Sequence, residues 1–197
     1  MHNSDCKNNE VPIIDSLDLR FDAEEDRILI EAKLQDEGQL VLSLTRRILG
    51  SLLQHYAESI QADNVLANSQ ATNVSELLQM KHANEIKKYE EQAHTSSQQH
   101  PKFEADKEKM RLLVIEVTLS KDQGCLKIVF SGRHQHILND NSCPVKPAAA
   151  LLMDEPCKHK FFEILVDKCN QAGWGLRINF PWLNKNFDSP HHLNAFN

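Results

Sequence analysis

The sequence predicts an α+β fold of two related halves, each an antiparallel β-hairpin followed by an amphipathic helix, with one or two sheets covered on one face by the helices. Three observations predict it. A hairpin pattern occurs twice, an apolar helical stripe comes after each occurrence, and the stretch between the two is polar and lacks strand character.

Residues 1–11 are polar and mixed in charge, and are expected to form a flexible N-terminus. The first half, residues 12–60, opens with Leu17, Leu19 and Phe21 alternating with Asp18, Arg20 and Asp22, the period of a half-buried strand. Ile30–Leu34 and Leu40–Leu44 then flank Asp36-Glu37-Gly38. Alternation on both sides of a glycine-terminated turn predicts a hairpin, with Gly38 supplying the positive φ that closes it. Thr45 stands where an N-cap belongs, and Ile48, Leu49, Leu52, Leu53, Tyr56 and Ile60 share one face of the following helix, which should lie across the sheet.

Residues 61–109 read as a connector. Asn73 three residues before Glu76 resembles a capping box, and Val74, Leu77, Leu78, Ala83, Ile86 and Tyr89 give a thin apolar stripe, so a helix is expected from Val74 to Gln92. The run from Ala93 to Lys107 has too little apolar surface to offset the entropy of ordering it and is expected to be mobile.

The second half, residues 110–184, repeats the hairpin: Ile115–Leu119, the turn Asp122-Gln123-Gly124, then Leu126–Phe130. The matching acidic, glycine-terminated turns favour internal duplication over chance agreement. An irregular stretch from Ser131 to Met153 is expected next. Asp154 and Pro156 then start a helix with Phe161, Phe162, Leu165, Val166 and Cys169 as its stripe, and Gly173 is placed to stop it. Leu176, Ile178, Phe180 and Trp182 alternate as a last strand, an edge strand given Pro181, before a tail at 185–197.

Composition narrows the function classes. Hydrophobic residues make up 41% of the 197, enough for a core. No apolar run is long enough to span a membrane, and the polar N-terminus predicts neither signal peptide nor anchor. Five cysteines, odd in number and scattered, fit a reducing compartment, so a cytoplasmic location is expected. A net charge of −6 opposes nucleic acid and anionic membranes alike. No GxSxG, Walker loop, GxGxxG or HExxH occurs, and no cofactor is expected.

Three groups of residues nonetheless invite a functional reading. Arg46 and Arg47 follow Thr45 at a helix start, where the dipole favours anions. They suit an anion or acidic-partner site, or else they answer the acidic turns Glu24-Glu25-Asp26 and Asp36-Glu37. His134 and His136 share a strand face, and Asp140 and Cys143 follow closely enough to complete a metal shell, although the spacing matches no zinc motif. Cys157-x-His159 is a weaker pairing of the same kind. Trp174 and Trp182 are candidate partner anchors, or simply core. Cys125 and Cys169 read as small buried hydrophobes.

The order of strands, then a helix beginning after Leu42-Ser43-Leu44-Thr45 and continuing through Leu53-Gln54-His55-Tyr56-Ala57, resembles the repeat of the PUR family over residues 17–60 and 112–172. That resemblance implies duplicated sheet-plus-helix units and a sheet that binds single-stranded nucleic acid. Arg20, Lys33, Lys127, Arg133 and Arg177 would be its basic residues, while Val41, Ser43 and Thr118 make poor stacking platforms. A metal-dependent enzyme with a site near His134 and His136 is a further alternative. The expectation that best fits the whole chain is a non-enzymatic protein-binding or assembly module, with a protein partner or a second copy as its ligand in a homodimer.

Overall fold

In the computed structural model, which describes residues 11–67, 74–95, 110–122, 124–134 and 144–176, six strands form one mixed sheet in the order of the chain. Strands β1 (Ile14–Asp22), β2 (Arg27–Leu34) and β3 (Gln39–Leu44) run antiparallel, and helices α1 (Arg46–Ala67) and α2 (Val74–Thr95) follow. Strands β4 (Met110–Asp122), β5 (Cys125–His134) and β6 (Lys146–Met153) are again antiparallel to their neighbours, and α3 (Glu155–Gln171) follows. The two sets join where β3 pairs with β4 in parallel, Leu40 opposite Met110 to Ser43 opposite Leu113. A parallel pair needs a long crossover, and α1 and α2 lie within it.

The sheet bends until its edges meet. Ile13, just before β1, forms a parallel bridge with Ala150 of β6. The Ala150 N–H donates to the Pro12 carbonyl at 2.8 Å and the Gln35 N–H to the Ile13 carbonyl at 2.9 Å.

One core cluster joins alternate strand positions, among them Ile28, Ile30, Leu40, Leu42, Leu112, Val114, Ile128, Phe130 and Leu151, to the apolar stripes of α1 and α3. Every residue of the expected α1 stripe is buried, as is every residue of the expected α3 stripe. Tyr56 of α1 stacks on Phe162 of α3 with ring centroids 3.5 Å apart. Leu29, Val41 and Ala150 point the other way and are also buried, 0%, 6% and 0% exposed.

Several sequence expectations need correction. Ser131–His134 extends β5, and Lys146–Met153 is a full strand where an irregular stretch was expected. The hairpins matched in the sequence, β2–β3 and β4–β5, hold different places, because a third strand, β6, separates β5 from its helix while α1 follows β3 directly. In the β2–β3 turn Glu37, not Gly38, carries the positive φ of 67°, whereas Gly124 does so at 85° in the β4–β5 turn. The α2 helix begins where predicted, but its buried face is Leu78, His82 and Glu85, and Leu77 is exposed. Leu176 is not in a strand, and 177–182 lie outside the described residues, as does 96–107 of the stretch expected to be mobile. No helix among the described residues is long and apolar enough to cross a membrane.

Candidate functional site

The start of α1 is tied back to the β1–β2 turn. Thr45 caps the helix, its Oγ1 accepting from the Ile48 N–H at 3.4 Å. The Arg46 guanidinium lies 3.5 Å from Asp26 Oδ2 and 5.5 Å from the centroid of the Trp174 ring. Trp174 reaches this point because α3 ends in a Schellman motif. Gly173, at φ 64°, donates to Asn170 O at 3.0 Å, and Trp174 donates to Cys169 O at 3.2 Å. The indole Nε1 then donates to Asp26 Oδ1 at 2.6 Å, and Phe21 meets the ring edge-on.

This clasp decides how the sequence candidates are placed. Trp174 is 4% exposed, so its surface is occupied within the chain and is not offered as a partner anchor. Trp182 lies outside the described residues. Arg46 answers the acidic turn through Asp26, and Arg47 is exposed on α1. His134 stands exposed at the end of β5, while His136, Asp140 and Cys143 lie outside the described residues. Among the described residues no group of three or more His, Cys, Asp or Glu side chains is placed to hold a metal. Of the basic residues a PUR-like sheet would use, Arg20 is bound to Glu31 at 3.0 Å and Asp22 at 3.6 Å, and Val41 and Ser43 are buried rather than outward.

A second cluster, at the seam of α2 and α3, was not foreseen. Asp154 caps α3 by accepting from the Cys157 N–H at 3.0 Å, which fixes Glu155, Lys158 and His159 on the turns that face α2. His82 and His159, both buried, meet Nδ1 to Nδ1 at 2.9 Å, so one imidazole donates and the other accepts. Glu155 Oε1 lies 3.7 Å from His159 Nε2 and 2.9 Å from Lys81 Nζ, and Lys158 bonds its other oxygen. The nearby His159 imidazole, with help from Lys158 and Lys81, holds the Glu155 carboxyl well below the usual carboxylate range, against the opposing effect of burial. Burial and then the Glu155 charge push the Tyr56 phenol up. Burial pushes the Cys157 thiol, aided by Asp154, and the Cys169 thiol up to about 12, so neither is a ready nucleophile at neutral pH. The signal for this seam was present in the sequence as the i, i+4, i+7 spacing of Leu78, His82 and Glu85.

The outer side of α2 carries two exposed apolar side chains, Leu77 at 44% and Met80 at 68%. They open a groove that continues past Lys81, Asn84, Lys87 and Lys88 to Glu91. No protein-family model, no curated protein and no solved structure matches this chain.

Proposed function

We propose that the protein is a non-enzymatic binding module that captures an acidic amphipathic helix of a protein partner along the outer face of α2. The observation that carries this reading is the pair Leu77 and Met80, one turn apart on a helix whose inner face is largely polar. A helix cannot bury such residues against its own body once Leu78, His82 and Glu85 occupy that side. From Leu77 to Glu91 the groove is about 21 Å long at 1.5 Å per residue, room for a helix of about four turns. Its charged rim favours an acidic ligand. Lys81, Lys87 and Lys88 are 44%, 76% and 58% exposed, so each is able to turn from its present partner, Glu155 at 2.9 Å, Glu91 at 3.9 Å and Glu85 at 2.6 Å, to a ligand carboxylate. Methionine suits such a surface because its side chain adapts to the partner's shape.

The same reading takes the chain as two units of three strands and a helix, β1–β2–β3–α1 and β4–β5–β6–α3, with α2 as the added docking element. What supports this framing is that each unit's last strand meets the start of the other in parallel, β3 with β4 and β6 with Ile13.

The test is a photo-crosslinking amino acid placed at Met80, with one at Glu58 on the exposed side of α1 as control, followed by titration of the purified captured protein. Capture at position 80 alone, through a helical acidic segment whose Kd rises at least about tenfold for Met80→Asp, supports the proposal. Capture of a second copy of this chain, equal capture at both positions, or an unchanged Kd overturns it.

A further inference from the structure

We propose that the face of the sheet opposite the core cluster binds a small anion through the guanidinium of Arg133, the ligand being a carboxylate or a phosphate group. Strand register places Arg20, Leu29, Ser43, Leu113 and Arg133 in one row across β1 to β5. Alternation puts Val41 and Arg111 on the same face, with Gln39 beyond them. Arg111 on β4 reaches over this face to Glu25 at 2.7 Å and Asp22 at 4.0 Å. Leu29 and Ser43 of the same face are 0% exposed.

On this face Arg20, Arg27 and Arg111 are paired with carboxylates and Arg133, among the described residues, is not. Arg20 has Glu31 and Asp22, Arg27 has Glu25, and Arg111 has Glu25 and Asp22. No carboxylate among the described residues lies within ion-pair distance of Arg133, and its Nε is buried without a hydrogen-bond partner. The Arg111 Nε and the Gln39 Oε1 are in the same condition. Arg111 Nη2 is held by Glu25 Oε2 at 2.7 Å, so three buried polar atoms of this face, Arg133 Nε, Arg111 Nε and Gln39 Oε1, lack partners. Folded proteins leave few such atoms, and a polar ligand beside Arg133 would supply its Nε with a partner. A guanidinium presents paired N–H groups that match two oxygens of a carboxylate or phosphate, and exchange of the Gln39 amide oxygen and nitrogen adds a donor.

The backbone beside Arg133 is arranged unusually. The β4 strand bulges between Val114 and Glu116, and the β5–β6 register shifts between Phe130 and Ser131. Between them Gly132 lets the strands approach so closely that a β-carbon there would stand 2.3 Å from the Leu113 carbonyl oxygen. Bulges of this kind re-aim side chains and are frequent next to binding sites.

Titration of the full chain with sodium phosphate and, separately, sodium acetate, followed by NMR of the arginine Nε–H signals at constant ionic strength, tests the proposal. A saturable shift of the Arg133 signal in the wild type is the expected result, with an affinity, read from the backbone amide signals of Ser43 and Leu113, that falls at least about tenfold in Arg133→Gln and only partly in Arg133→Lys and is unchanged in Arg47→Gln. Saturation by one salt and not the other tells the two ligand chemistries apart. Shifts reproduced by sodium chloride, or retained in both Arg133 variants, overturn it; Arg133→Lys keeps the charge and serves where Arg133→Gln does not fold.

Discussion

Crowding, more than conformational freedom, makes residue 132 a glycine. A β-carbon there would meet Leu113 O at 2.3 Å, Leu113 C at 3.1 Å and Val114 Cα at 3.3 Å, all backbone atoms that cannot rotate away. Gly124 is the opposite case, with φ at 85° and no atom within 4 Å of the place a β-carbon would take. Gly132→Ala is therefore expected to cost about 3 kcal/mol or to shift the β4–β5 register, and Gly124→Ala about 1 kcal/mol from left-handed strain alone. Urea melts of the two variants check this, and equal losses would refute the crowding argument. At this scale the sequence is legible where a residue's role is local. Thr45, Asp154 and Gly173 act as the spacing predicts, because a cap depends only on its own turn. Trp174 is not legible in the same way, since its partners Phe21, Asp26 and Arg46 are brought to it by the fold. The His82 and His159 contact is hidden for the same reason.

Elements are readable in proportion to how much of their burial is apolar. The α1 helix places Ile48, Leu49, Leu52, Leu53, Tyr56 and Ile60 in the core, and its pattern was plain. Among the described side chains of α2 two of the three buried positions are His82 and Glu85, and of its expected stripe Leu78 is buried, Ile86 and Tyr89 are half-buried, and Leu77 and Ala83 are exposed. Strand β6 was missed because Lys146-Pro147-Ala148-Ala149-Ala150 has little strand propensity; its pairing with β5 and the bridge to Ile13 hold it extended. The polar seam of α2 also carries a pH consequence. Glu155 is held below the ordinary carboxylate range, with Lys81 of α2 among the causes. A depressed carboxyl stabilises the folded state fully above its unfolded pKa, about 4.3 for glutamate, and that contribution is lost as pH falls further through the depressed value. Wild type should accordingly exceed Glu155→Gln in stability at pH 7, and the difference should shrink as pH is taken down towards 3. Glu155 is 38% exposed in its side chain, so solvent screening keeps the effect on the order of 1 kcal/mol at most. Paired denaturant melts at the two pH values check it; a difference that grows on acidification would contradict the sign.

The whole molecule is held by two parallel contacts that no local pattern announces, β3 with β4 and Ile13 with Ala150. Antiparallel neighbours are joined by short turns and can be inferred from alternation, as β2–β3 and β4–β5 were. Parallel neighbours are chosen by tertiary packing, so their pairing in a single sheet could not be read from the chain. The second contact is small but closes the ring. The Ala150 N–H to Pro12 O bond and the Gln35 N–H to Ile13 O bond depend on residues ahead of β1, and Ala150 itself is fully buried. Deleting residues 1–13 removes both acceptors and opens the β1–β6 edge. Each lost bond is worth about 1 kcal/mol, so a loss of about 2 kcal/mol is expected, a fall in Tm of about 4–8 °C for a chain of this size. Hydrogen exchange locates the effect. The amides of Ala150 and Gln35 should lose protection, while that of Leu42, in the middle of β3 and paired with Ile30 and Leu112, keeps it. Uniform loss across all three would mean that the deletion destabilises the sheet as a whole, and unchanged exchange at Ala150 would mean that the ring is not closed in solution.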